Sequence, residues 1–196
     1  MGEDKKKFDA SFTAGGLFFR EFTVLGSILI EDDFLEQLQR EKELNLVIGI
    51  STESARKRII LELSRRYKMV AIDFWTWFLT IPQKEQKLAL FYICLKTYPI
   101  VLDLQTEVAL KKFRTGDRLK AFSVKMRLDE LASIDDEVGS WSDSTLDKIN
   151  SQYRSTLKDC GLLENDLLNY PAGISESFWD YFDDINESWF KETCFK

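Results

Sequence analysis

The chain has 196 residues, 44% of them hydrophobic and 31% charged, with a formal net charge of −6, which suits one compact domain or two small ones sharing a core. Nine Gly and three Pro are few for turn-rich sandwiches and barrels, and the longest apolar run, residues 88–95, is far short of the roughly 20 residues a spanning helix needs. There is no histidine, which removes Ser/His and Cys/His nucleophile–base pairs and the commonest neutral-pH general base.

Residues 1–7 are charged and lack an apolar stretch, so no secretory leader is expected. Cys94, Cys160 and Cys194 are odd in number and widely spaced, which reads as reduced thiols in a cytoplasmic protein. A first helix is predicted over residues 13–29, with Phe18, Phe22, Leu25 and Leu29 on a buried face. Gly15 and Gly16 near its start mark close approach of another helix. A second helix starts near Asp32 and Asp33, turns Phe34, Leu35 and Leu38 inward, and ends in residues 40–45. A third is capped by Ser51 or Thr52 and runs through Tyr67. At 100° per residue, Ala55, Ile59, Ile60, Leu63, Tyr67 and Val70 share one side of it, and Lys57, Arg58, Arg65 and Lys68 the other. Arg56 lies within the apolar arc and Arg66 at its edge.

The aromatic segment Phe74-Trp75-Thr76-Trp77-Phe78 could stack nucleobases, but by the burial habits of these residues it reads as core. Helices follow over residues 83–97, stopped by Pro99, and over 100–113, stopped near Gly116. The next covers 117–134, with Leu119, Phe122, Met126 and Leu131 at core spacing, and ends at Asp135-Asp136-Glu137 and Gly139. Ser144 and Asp147 form a capping-box-like pair opening a helix with Leu146, Ile149, Tyr153, Leu157 and Cys160 on one stripe, stopped by Gly161. Residues 162–170 suit a short hairpin or a loop, and a last amphipathic helix covers 176–190. The fold class is therefore all-α or nearly so, a compact multi-helix bundle divided into residues 8–114 and 115–196. The second part ends in a helix-turn-helix or winged-helix-like arrangement.

Charge is unevenly spread. Residues 44–128 carry sixteen Lys/Arg against seven Asp/Glu, whereas residues 129–196 carry five against sixteen. A basic middle before an acidic end suggests one surface that meets an anion. The leading candidate is the basic helix over residues 51–69, with Lys57, Arg58, Arg65, Arg66 and Lys68. It is supported by Lys111, Lys112, Arg114, Arg118, Lys120, Lys125 and Arg127. Outward Lys/Arg gain affinity for phosphate by counterion release, and Arg adds bidentate geometry; the same residues equally suit an ordinary solvated surface. A second candidate is the helix after Trp141, offering Ser142, Ser144, Thr145, Lys148 and Gln152 to a DNA groove. Asp143, Asp147 and Asp159 would repel phosphate there, which favours packing or protein contact. Asp73 with Glu85-Gln86-Lys87 superficially matches a metal-dependent nuclease pattern. That chemistry needs carboxylates on adjacent strands, and Glu85 stands in a helical segment. The cysteines have no zinc spacing, no nucleotide-phosphate loop motif occurs, and no cofactor or metal is expected.

Four stretches, in order, carry a family resemblance: Phe12-Thr-Ala-Gly-Gly-Leu-Phe-Phe-Arg-Glu21; Ser51-Thr-Glu-Ser-Ala-Arg-Lys-Arg58 with Arg65-Arg66; Gln86 to Lys96-Thr-Tyr98; and Trp141-Ser-Asp-Ser-Thr-Leu-Asp-Lys148 running to Leu157-Lys-Asp-Cys-Gly-Leu-Leu163. Together they resemble the BrxA family of BREX phage-defence systems. The sequence departs at Asp159-Cys160, where the family more often has Glu-Ala. The resemblance implies an all-helical protein, partly similar to a helical RNA-binding antitermination fold, that binds duplex DNA. It also implies a non-catalytic accessory role beside other BREX proteins; the inner-membrane label that some family members carry is at odds with the lack of a spanning segment, and no membrane partner is expected. The alternative is a protein-interaction adaptor whose acidic end docks a basic partner.

Overall fold

The computed structural model describes residues 8–196; residues 1–7, and the expectation of no leader placed on them, lie outside the described residues. The chain is mostly helical, with one two-stranded sheet among the described residues. It forms two compact units, Leu17–Thr97 and residues 8–16 with Tyr98–Lys196.

In the unit Leu17–Thr97 the helices are α1 (Phe19–Leu25), α2 (Phe34–Leu44), α3 (Glu53–Tyr67), α4 (Ile72–Phe78) and α5 (Gln83–Thr97). The single helix expected over residues 13–29 is three pieces: a 3-10 turn at Ser11–Ala14, α1, and a 3-10 turn at Gly26–Ile30. Phe18 and Gly26 have φ of 54° and 48°, and neither conformation continues a right-handed helix. For phenylalanine that backbone costs roughly 1–2 kcal/mol. It is held by burial of the ring, with the Arg66 guanidinium 4.3 Å from its centroid.

The aromatic segment in α4 is core, as expected, with Phe74, Trp75 and Phe78 buried. Trp75 stacks on Phe22 at 4.9 Å and on Tyr67 at 5.3 Å, pairs worth more than their buried area alone. Among the described residues no single helix is long and apolar enough to cross a membrane. The run from Leu88 to Leu95 in α5 is buried throughout.

The turn between α2 and α3 determines where α3 begins. Buried Glu41 accepts the backbone N–H groups of Leu46, Val47 and Ile48 at 3.0, 3.0 and 3.2 Å. Asn45, left-handed at φ 49°, takes the Ile50 N–H on Oδ1 at 2.8 Å. Arg56 donates to the carbonyls of Lys42 at 2.6 Å and Ile50 at 3.0 Å. Thr52 then caps α3, its hydroxyl accepting from the Ala55 N–H at 3.4 Å, which meets one of the orphan donors of a helix start.

In the second unit, α6 (Pro99–Asp103) passes through a π-helical stretch, Leu104–Ala109, into α7 (Leu110–Thr115), which ends at Gly116 with φ 71°. Gln105 in that stretch is fully buried; it accepts from the Tyr153 hydroxyl at 2.7 Å and donates to the Thr193 carbonyl. Next come α8 (Ala121–Ile134), α9 (Asp136–Gly139) and α10 (Asp143–Asp159). The apolar stripe expected on α8 is misplaced. Leu119 is buried but precedes the helix, so a register counted from it fails: Phe122 and Met126 are exposed, and Val124, Leu128 and Leu131 are core.

On α10 the stripe Leu146, Ile149, Tyr153 and Leu157 is buried as expected, but the N-cap is Ser142 and not Ser144. The close approach read from the early glycines is real at Gly16, where a Cβ would stand 2.5 Å from Gln152 Nε2 and 2.8 Å from Thr156 Oγ1 on α10. Residues 162–170 contain a hairpin, β1 (Leu163–Glu164) and β2 (Leu167–Leu168), paired Leu163 to Leu168 and Glu164 to Leu167. Asn165 and Asp166, both at positive φ, make its two-residue turn. The last predicted helix is two, α11 (Glu176–Asp184) and α12 (Trp189–Thr193), separated where Asn186 adopts φ 58°.

Candidate nucleic-acid interface

One side of α3 is buried through Ile60 and Leu63, and the other is open to solvent at Ser54, Lys57, Arg58, Leu61 and Lys68, with Arg65 half-buried. Lys57 pairs with Glu53 one turn earlier, and its hydrogen bond holds the Glu53 carboxyl below the usual range. An exposed pair of this spacing contributes little to stability, so it yields readily to a phosphate. Arg65 Nη2 donates to the Thr97 carbonyl at 3.2 Å, and Nη1 lies 3.9 Å from Glu62, which fixes the direction of its fork. Lys68 has no ion-pair partner among the described residues. Arg66 does not belong to this face. Its side chain is 1% exposed and packs over Phe18, so it contributes to the fold and is closed to a polyanion.

The supporting stretch is in the other compact unit and largely neutralises itself. Lys111 pairs with Glu107 at 2.6 Å, Lys112 with Asp117 at 3.3 Å, Lys125 with Asp129 at 3.3 Å, and Arg114 with Glu192. Arg127 grips Asp103 with both Nε and Nη2, at 2.8 and 2.7 Å, and reaches Glu130 at 2.7 Å. The Glu107 carboxyl is held low by the hydrogen bond from Lys111, and that of Asp117 by those from Thr115 and Lys112. Arg118 donates to the Asn165 carbonyl at 2.9 Å. Lys120 is exposed with no ion-pair partner among the described residues. Most of the positive charge of this stretch is thus paired within its own unit.

Ser142, Ser144 and Thr145 are occupied in capping α10. Ser142 Oγ accepts the Thr145 N–H at 3.3 Å and lies 2.9 and 3.0 Å from the Ser144 and Thr145 hydroxyls. Lys148 is exposed, but so are Asp143 and Asp147 around it.

A family model described as BrxA matches residues 6–178, most of the chain. The chain belongs to the BrxA family. BrxA proteins are components of BREX systems, which gives this chain a BREX-associated role in phage defence. No curated protein matches it. It is similar in fold to an uncharacterized protein from Magnetospirillum magneticum known from a crystal structure, with a TM-score of 0.81 at 19% identity over 96% of this chain and 98% of that one. The four stretches that carried the resemblance fall within the matched span, α3 included. Cys160, at the family departure, is buried as the C-cap of α10.

Asp73 and Glu85 stand in the first turns of two helices, α4 and α5, the former exposed and the latter buried. Among the described residues no strand supports them, and no cluster of three His, Cys, Asp or Glu could hold a metal ion. Burial pushes the Cys94 and Cys194 thiols up, away from the thiolate a nucleophile needs. The sequence reading missed Leu61, which is exposed at the middle of the basic face. Its signal was available in the helical spacing, where it falls between Lys57 and Arg65.

Proposed function

We propose that this BrxA-family chain is a non-enzymatic, cytoplasmic accessory protein of a BREX system that binds duplex DNA, gripping phosphates with Lys57, Arg58, Arg65 and Lys68. The observation that carries the proposal is α3 itself. It has one buried face, an opposite face of cations, and a start fixed by the Glu41, Asn45 and Arg56 hydrogen bonds. Phosphate contacts supply most non-specific affinity, and cations on a rigid helix lose less entropy on binding than cations on a loop. In the second unit, α8, α10 and the β1–β2 hairpin follow the order of a winged helix-turn-helix. Asp143 and Asp147 on α10 turn that arrangement toward protein contact. The adaptor reading draws on the same unit, because Phe122 and Met126 are 68% and 56% exposed on α8 beside its self-paired cations.

The test is fluorescence anisotropy with duplex DNA, single-stranded DNA and RNA of equal length at low salt. Duplex DNA is expected to bind most tightly. Tighter binding of either other polymer overturns the duplex assignment. No binding to any of them, with another BREX protein co-purifying, puts the adaptor in its place.

A further inference from the structure

The outward face of α3 is arranged more specifically than a grip on phosphate requires. At 100° per residue, with Leu61 as the origin, Lys68 and Lys57 fall about 20° and 40° to one side, and Arg65 and Arg58 about 40° and 60° to the other. Ser54 lies within about 20° of the same centre line. Two cationic flanks therefore bound a strip that contains an apolar side chain, and that side chain is 62% exposed. Leu61 is not covered by its own fold, although the residues flanking it, Ile60 and Glu62, are both buried.

We propose that α3 lies in the major groove of duplex DNA with Leu61 against the base edges, where it contacts the C5-methyl groups of thymine, while Lys57 and Lys68 take phosphates of one strand and Arg58 and Arg65 those of the other. This rests on the duplex-DNA reading above and adds to it a residue that discriminates bases. The major groove admits one α-helix, whose two sides then face the two phosphate backbones and whose leading edge faces the bases. Leucine neither donates nor accepts a hydrogen bond, and thymine is the base that presents an apolar group in that groove. Ser54, two turns earlier on the same line, can meet either a donor or an acceptor.

The test uses the full-length chain and one A·T-rich duplex made in two forms, with thymidine or with deoxyuridine throughout, so that only the methyl groups differ. Wild type is expected to bind the thymidine duplex more tightly, by roughly fourfold for each methyl buried. Leu61→Ala is expected to bind both forms alike, close to the wild-type affinity for the deoxyuridine form, with an unchanged salt slope. Leu61 is exposed and alanine favours helices, so the variant keeps its fold. If wild type binds both duplexes equally, the inference is overturned and the DNA reading stands. A thymidine preference that survives in Leu61→Ala overturns the role of Leu61. Failure of both proteins to bind either duplex overturns the inference together with the reading beneath it.

Discussion

Replacing Lys57 and Lys68 together by glutamate lowers duplex affinity by roughly a hundredfold near physiological salt and reduces the magnitude of the salt slope by about two, because two phosphate contacts and their released counterions are lost. Both side chains are exposed on α3. The surface pair of Lys57 with Glu53 contributes little to folding, so the unfolding midpoint stays near that of wild type. The control is Lys111→Glu with Lys125→Glu, which makes the same change of net charge in the other compact unit. Its effect on binding is expected to be several-fold at most. Anisotropy titrations of both double variants settle the comparison. An equal loss from both pairs would show that net charge alone, and not the face of α3, governs binding.

Arg66→Ala separates folding from binding in the opposite sense. Arg66 is 1% exposed and its guanidinium lies over the ring of Phe18, which itself holds an unfavourable left-handed backbone. Truncating this buried arginine removes a desolvated cation–π contact, worth about 2 kcal/mol, together with the packing of its aliphatic stem. The Phe18 conformation also loses the ring contact that holds it. Denaturant unfolding should show that loss as a lower midpoint with little change in m-value, while the salt slope of the folded fraction stays at the wild-type value. A variant with a wild-type midpoint and weakened DNA binding would return Arg66 to the interface.

Elements with strong local signals were legible in the sequence. α3 has its Thr52 cap and one apolar arc, α5 lies between Pro82 and Pro99, and α10 has a four-residue stripe closed by Gly161. The misreadings have specific physical causes. Phe18 in a left-handed conformation breaks the first helix, and nothing in the residue type announces it, because burial beneath Arg66 is a tertiary effect. Leu119 imitates the first position of a stripe but sits in the loop before the helix, its N–H bonded to the Asp166 carbonyl at 2.8 Å, and so it shifted the predicted face of α8.

At the site, the cations were visible and their partners only partly so. The Lys111–Glu107 and Lys125–Asp129 pairs have four-residue helical spacing and could have been read from the sequence. Arg114 with Glu192, and Arg127 with Asp103, join residues far apart in the chain, and only the fold brings them together. That difference is why the stretch over residues 111–127 read as a support for the basic helix although most of its cations are paired.

The most direct measurement of the central claim is the affinity of the unmodified protein for one duplex across a range of salt concentrations. Four phosphate contacts from α3 predict that the logarithm of affinity falls linearly with the logarithm of salt, with a slope of about −3 to −4. A slope near zero, or affinity that rises with salt, would contradict a cationic grip on DNA.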